Sequence, residues 1–317
     1  MTNNPLHDKL IPPQEETQKP GIEIGSYKDC HYIASGVTCD VYKSRPANVA
    51  LKVVSHRPSE PHNPLREAKI LKELQKPCIT LIETFWDDEQ QFVLAFPYMP
   101  LTLQDVFERG RCPDNTIRHI FVDVFTALQD LHSQGIIHRD IKPSSVLLEG
   151  ETGPAYLSDF GTAWHPVHST STESKDDKIL DIGTGQYRAP EVLFGNKSYG
   201  PAIDMWAAGV MLAEACRRPA LTPLFESRPS NEDGNQLGLI LSIFKTIGSP
   251  TRETWPEAQT FRTPPFDMYK TFEHRPWDVV LPDVDLKWRE LVAACVKYNS
   301  SRATAEQVST PYDFSLS

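Results

Sequence analysis

The apolar residues of this chain change period near Leu101, and that change decides which elements each half can build. Before it, short runs alternate apolar and polar side chains: YKDCHYIAS from Tyr27, VTCDVYKSR from Val37 and NVALKVVS from Asn48. A period of two predicts half-buried strands, here three strands of an antiparallel meander. REAKILKEL then sets Ala68, Ile70, Leu71 and Leu74 at helical spacing, and CITLIETFW and QFVLAFPYM predict two more strands. After Leu101 the pattern turns helical. DNTIRHIFVDVFTALQDLHSQG predicts a long amphipathic helix with Asp114 as N-cap and Gly135 as its stop. AIDMWAAGVMLAEACRR is apolar nearly all round and predicts a buried helix, followed by helices in NQLGLILSIFKTIG and DLKWRELVAACVKY. The Pro-rich stretch 250–283 carries interleaved aromatics and is expected to be an irregular, packed loop. The fold class expected is α+β, a β-rich lobe over 25–99 and a mostly helical lobe over 100–317, with 1–24 as a flexible tail rich in Pro, Gln, Glu, Asn and Lys.

Charge and cysteine usage narrow the function classes. A formal net charge of −10 argues against a nucleic-acid binder, which needs Lys and Arg in excess to neutralise phosphate. No basic run suggests a membrane patch, and no apolar run reaches spanning length; the longest, near Trp206 to Ala213, suits a buried helix. The cysteines at 30, 39, 78, 112, 216 and 295 form no C-x-x-C pair and are expected to be free thiols in a reducing compartment. With no signal pattern at the N-terminus, the expected location is cytoplasm, nucleus or both.

The chemistry-bearing residues come in a fixed order: Lys52 in VALKVV, Glu67 in the first helix, HRDIKPSS at 138–145, SDFG at 158–161 and RAPE at 188–191. Taken singly, each has a bland reading: a solvated lysine, an exposed helix carboxylate, a turn Asp-x-Gly. Together, the series resembles the eukaryotic protein kinases from about Tyr27 to Thr310. The resemblance implies the two-lobed kinase fold and transfer of the ATP γ-phosphate to protein Ser/Thr hydroxyls, with Mg²⁺ as cofactor. It implies that Lys52 and Glu67 hold phosphates, that Asp140 accepts or orients the substrate hydroxyl proton, and that Lys142 offsets charge on the travelling group. Asp159 becomes a metal ligand, with Ser145 as the second. His138 is expected to be structural. Val41, Ala50 and Leu147 would enclose the adenine, Phe96 is similar to the bulky gatekeeper, and Pro97 to Met99 resemble the hinge.

Three departures from the family pattern stand out. The loop over the phosphates reads Ala34, Gly36, Cys39 where the family has three glycines, so closer approach of backbone to phosphate is expected only at Gly36. Ser145 replaces an asparagine with a shorter arm, which predicts weakened metal coupling. The run GTGQYRAPEVLFG and the stretch IFKTIGSPTRETWP are similar to the cyclin-dependent kinase branch, where a threonine before the GT is phosphorylated and met by three arginines. Here that threonine is Ile179, Arg66 and Arg139 remain, and the third arginine is Trp164. An acidic residue among Asp176, Asp177 and Asp181 is expected to meet Arg139 without modification, with a solvated charge run as the plain alternative and modification within Ser169–Ser174 as another.

Within that branch, Gly183 facing Arg188 implies preference for Ser/Thr-Pro targets, because a positive φ there would leave the next substrate N–H unpaired. Asp204 is expected to bond the catalytic-loop backbone and Arg302 to pair with Glu191. NPLREAKILKEL lacks the cyclin-binding signature, so a cyclin is optional, a monomer is expected, and the pattern resembles the single-chain fungal kinases that activate other cyclin-dependent kinases. The rivals are a pseudokinase scaffold with weakened nucleotide binding, favoured by Ala34, Cys39 and Ser145, and a small-molecule phosphotransferase, which the APE segment opposes.

Overall fold

The computed structural model describes residues 20–308 apart from 37, 55–58, 111, 218–219, 228–235 and 268–269. Strands β1 (Ile22–Ile24), β2 (Tyr27–Ser35), β3 (Cys39–Ser44), β4 (Val49–Val54), β5 (Glu83–Trp86) and β6 (Phe92–Pro97) form one antiparallel sheet in the order β1-β2-β3-β4-β6-β5. The tail expected over 1–24 therefore ends earlier than its composition suggests, because Ile22 and Ile24 pair with Cys30 and Tyr27 and Ile24 is buried. Its first 19 residues, and Val37 of the phosphate loop, lie outside the described residues.

Alternation along β4 shapes the cleft. Val49, Leu51 and Val53 are buried on one face, which leaves Ala50 and Lys52 on the other. Val41 stands opposite Lys52 and Phe96 opposite Ala50, so these four side chains share a single sheet face. Helix α1 (Pro64–Glu73) starts with proline in its first turn and Asn63 as N-cap, whose side chain accepts the Arg66 N–H at 2.9 Å. It buries Arg66, Glu67, Ala68, Ile70 and Leu71.

The second lobe begins with β7 (Leu101–Thr102) and α2 (Leu103–Glu108), then α3 (Asp114–Ser133). Asp114 is the first residue of α3 rather than its cap; Pro113 occupies the cap position, and Asp114 acts on the helix dipole from inside the first turn. Gly135, at φ 71°, ends the helix as expected. Strands β8 (Val146–Leu148) and β9 (Ala155–Leu157) pair with β7 in a small sheet that carries the catalytic loop. Beyond α4 (Pro190–Leu193), α5 (Ala202–Cys216) is buried almost throughout. It is followed by α6 (Gln236–Ile247), α7 (Trp277–Val280), α8 (Leu286–Cys295) and α9 (Ala305–Val308). Gly209 lets α5 approach α8 closely: a Cβ there would lie 2.5 Å from that of Cys295. Among its described residues, the Pro-rich stretch is irregular apart from short turns and α7, and Trp255 is buried against Phe194, Phe261 and Tyr298. Among the described residues, no helix is long and apolar enough to cross a membrane.

Candidate active site

Lys52 on β4 and Glu67 on α1 meet across the first lobe. The Lys52 ammonium donates to both Glu67 carboxylate oxygens, at 2.8 and 2.9 Å, and to Asp159 Oδ1 at 3.1 Å. Glu67 is 2 % exposed, whereas the Asp159 side chain is 48 % exposed and faces the cleft between the lobes. Burial by itself would lower the Lys52 pKa, but the Glu67 and Asp159 carboxylates outweigh it and hold the ammonium protonated. The same ammonium holds the Asp159 carboxyl well below the usual carboxylate range, against the opposing effect of burial.

The catalytic loop is pinned from beneath. Asp204, buried in α5, accepts the N–H groups of His138 and Arg139 at 2.9 Å each, and His132 Nε2 lies 3.0 Å away. His138 is fully buried, with its ring edge-on to Phe160 and its Nε2 2.8 Å from the Ser158 carbonyl, so it is a structural residue. Asp140 and Lys142 form an ion pair. Thr184, which the sequence reading did not single out, completes this corner. Its hydroxyl donates to Asp140 Oδ1 at 2.7 Å and receives the Lys142 ammonium at 3.2 Å.

A cleft of about 540 Å³ lies between the lobes, lined by Gly36, Cys39, Lys52, Asp140, Lys142 and Asp159 among others. Ala50, Val41 and Phe96 share the sheet face that Lys52 projects from, and Phe96, Met99 and Leu147 pack partly buried against the core. Ala34 pairs with Val41 beside a bulge in β2 and is exposed. Gly36 donates its N–H to the Cys39 carbonyl at 2.7 Å, so the phosphate loop closes on itself. The Cys39 thiol is buried and neutral, its pKa raised by burial with Lys52 opposing only in part.

A divalent cation fits Asp159, an ionised carboxylate held half-exposed by a left-handed backbone at φ 63°. Ser145 does not share that role. It is 1 % exposed, its hydroxyl donates to the Lys142 carbonyl at 2.8 Å, and it accepts the Lys142 N–H at 3.1 Å. The expected second ligand is thus a pin within the catalytic loop, because its short arm finds backbone partners before it reaches the cleft.

The acid that meets Arg139 is Glu173, not Asp176, Asp177 or Asp181. Glu173 accepts from Arg139 Nη1 at 2.6 Å and Nη2 at 3.0 Å, and from the Ile179 N–H at 3.0 Å. Arg66 of α1 comes within 3.9 Å of it. Asp177 is exposed and pairs with Lys197 at 2.6 Å, and Asp176 and Asp181 are exposed. Beside Trp164, at the position of the family's third arginine, the Lys178 ammonium lies 4.8 Å from the Trp164 ring centre and 5.2 Å from that of Tyr199, and it donates to the Tyr199 carbonyl at 2.9 Å. Further out, Arg302 forms two hydrogen bonds to Glu191, of 2.6 and 3.0 Å, which tie the APE segment to the end of the chain.

A lysine clamped by a helix carboxylate, facing an aspartate of a DFG turn across a cleft, defines a protein kinase, and residues 27–312 match the protein kinase domain. The chain belongs to that family, and it is an ATP-dependent serine/threonine kinase of the cyclin-dependent kinase type that uses a divalent metal. It is 34 % identical to serine/threonine-protein kinase csk1 of Schizosaccharomyces pombe over 285 residues, covering 87 % of this chain and 90 % of that one. It is 29 % identical to cyclin-dependent kinase 7 of Xenopus laevis over 306 residues, 90 % of this chain and 82 % of the relative. Among solved structures, it is similar to a chain of the CAK complex of Chaetomium thermophilum bound to ATP-γ-S (TM-score 0.73, 28 % identity, 88 % of this chain and 87 % of that one). A chain of the yeast RNA polymerase II CTD kinase complex CTDK-1 matches with TM-score 0.72 and 26 % identity, over 89 % and 92 %.

Proposed function

We propose that this kinase works as a single chain, with Mg²⁺, on Ser/Thr-Pro sites and on the activation segments of other cyclin-dependent kinases. The observation that carries the reading is the position of α1. It is fixed by contacts within the chain: Lys52 to Glu67, the Asn63 N–H to the Gly161 carbonyl at 2.9 Å, and Arg66 to Glu60 at 2.8 Å. All three contacts lie within the chain, which supports a reading in which α1 holds Glu67 against Lys52 without a partner.

Mg²⁺, when bound, neutralises charge on the phosphate oxygens. Asp159 would hold it, while the Ser145 hydroxyl stays on the Lys142 carbonyl. Lys52, fixed by Glu67, orients the α- and β-phosphates as a point charge. Val41, Ala50, Leu147, Phe96 and Met99 enclose the adenine. Asp140 Oδ1 and the Thr184 hydroxyl orient the incoming substrate hydroxyl, whose proton passes to Asp140 as its oxygen bonds the γ-phosphorus and ADP departs. Lys142 stabilises the charge that accumulates in transfer.

Substrate preference rests on Gly183, whose φ is 76°. A positive φ there would turn the carbonyl away from a substrate amide, so proline, which lacks the N–H, would lose nothing. Action on other cyclin-dependent kinases rests on the likeness to a chain of the CAK complex and to serine/threonine-protein kinase csk1. The expected location is the cytoplasm, the nucleus or both.

The test is transfer of labelled phosphate from ATP by the purified single chain, with Asp140→Asn as control. A Ser-Pro peptide, its Ser-Ala counterpart and a cyclin-dependent kinase with unmodified activation segment serve as acceptors. Activity that appears only after a cyclin is added would overturn the single-chain reading.

A further inference from the structure

Glu73, His165 and His168 each bring one ligating atom to within 4.8 Å of the others, an arrangement that at first resembles a metal triad. The hydrogen bonds argue otherwise. His165 Nδ1 accepts the backbone N–H groups of Val167 at 3.0 Å and His168 at 3.2 Å. Its single ring proton must therefore sit on Nε2, which points at Glu73 Oε2 at 3.2 Å. A cation on Nε2 would force the proton onto Nδ1, where two N–H donors already point. His168 Nε2 lies 2.7 Å from the other Glu73 oxygen, and the two rings stack with centres 4.3 Å apart.

The position of this cluster gives it a role. Glu73 ends α1, the helix whose Glu67 holds Lys52. His165 opens the turn that delivers Glu173: its N–H donates to the Ser169 hydroxyl at 2.9 Å, Ser169 is fully buried, and the Glu173 N–H returns to the Ser169 carbonyl at 2.8 Å. The imidazole of His165 thus joins the far end of α1 to the segment that sets Arg139.

We infer that His165 is a positioning residue that must stay neutral, an Nε2–H strut that locks α1 to the Glu173 turn and makes phosphoryl transfer sensitive to acid. The inference rests on the reading that α1 and Arg139 must both be held for transfer. Protonation would place a hydrogen on Nδ1 facing two N–H groups and open the turn. The titratable groups facing the ring are Glu73 from α1 and His168 from its own turn. Burial and His168 lower the His165 pKa, with Glu73 opposing. The strut is therefore complete above the ordinary histidine value of about 6.5 and is lost as pH falls through the lower folded value.

The experiment compares the kcat profile of the wild-type single chain with that of His165→Asn between about pH 5.5 and pH 8, a range that brackets histidine titration. Asparagine keeps an acceptor for the two N–H groups, lacks a titrating proton and loses the bond to Glu73. The variant is expected to be about threefold slower at neutral pH, in line with one lost hydrogen bond, and to keep that rate at acid pH where wild type falls. Parallel acid limbs would overturn the proposal. A second readout does not depend on activity: long-range ¹H–¹⁵N correlation should show His165 as the neutral Nε2–H tautomer at pH 7, and an Nδ1–H tautomer or an imidazolium would overturn it. Zinc titration should leave that signal unmoved; a shift of the Nε2 resonance with zinc would restore the metal reading. A wild-type chain that transfers no phosphate would count against the kinase reading, while the tautomer measurement still decides the strut.

Discussion

Glu173 grips Arg139 through two hydrogen bonds while both side chains are closed to solvent, the arginine at 0 % and the glutamate at 1 % exposure. A buried arginine beside Asp140 needs an anion, and here the chain carries its own. Glu173→Ala strands the guanidinium, which is expected to cost roughly 3–5 kcal/mol of stability. Glu173→Gln keeps the shape and loses the charge, and kcat should fall by about an order of magnitude or more, since about 1.4 kcal/mol of lost positioning is tenfold. Thermal melting and steady-state rates measure the two effects. Mass spectra of active wild-type protein should show no stoichiometric phosphate at residues 169–174.

Cys39 narrows the phosphate loop from inside. A Cβ built on Gly36 would sit 3.1 Å from its thiol sulfur, and Gly36 already spends its N–H on the Cys39 carbonyl. Cys39→Gly removes the thiol while keeping the carbonyl that Gly36 bonds. The slimmer, more permissive backbone can approach phosphate at position 39, and KM for ATP should drop about fivefold, the worth of roughly one added hydrogen bond. An unchanged KM would show that the loop does not limit nucleotide binding.

Ser145 stitches the two ends of a single catalytic-loop turn, since it both donates to and accepts from the Lys142 backbone. Ser145→Asn offers an oxygen on a longer arm. The Mg²⁺ concentration for half-maximal rate should fall several-fold, roughly the gain from one added charge-assisted contact. A magnesium titration of both proteins reads this directly; identical curves would refute it.

Gly183 holds φ 76°, and a Cβ there would lie 3.1 Å from Arg188 Cγ. Gly183→Ala should strain this turn by about 1–2 kcal/mol. Relief of that strain rotates the carbonyl back, so the ratio of kcat/KM for Ser-Pro over Ser-Ala peptides should shrink. Equal ratios in the two proteins would place proline selection elsewhere.

The core of the site was legible because Lys52, Glu67, Asp140 and Asp159 each sit in an ordered local pattern, and the period of two in β4 already put Ala50 and Lys52 on one face. Glu173 was not legible. The sequence offered Asp176, Asp177 and Asp181 nearer to Ile179, and proximity along the chain favoured them. A turn built on the buried Ser169 folds Glu173 inward instead, and nothing in residue type alone marks such a turn. Ser145 misled for a related reason: matching a family position says where the Cα lies, not which way a short hydroxyl turns. Strand β1 was hidden because its two isoleucines adjoin a stretch of tail-like composition.

Arg139 and Asp159 both hold left-handed backbones, at φ 73° and 63°, that non-glycine residues avoid. Asp204 secures the first by clasping two amides, and Lys52 tethers the side chain of the second. Both angles are thus braced from within the chain. A ligand that uses these two loops would find them already set and would spend little of its affinity on shaping them, unlike the loop at Gly36 and Cys39.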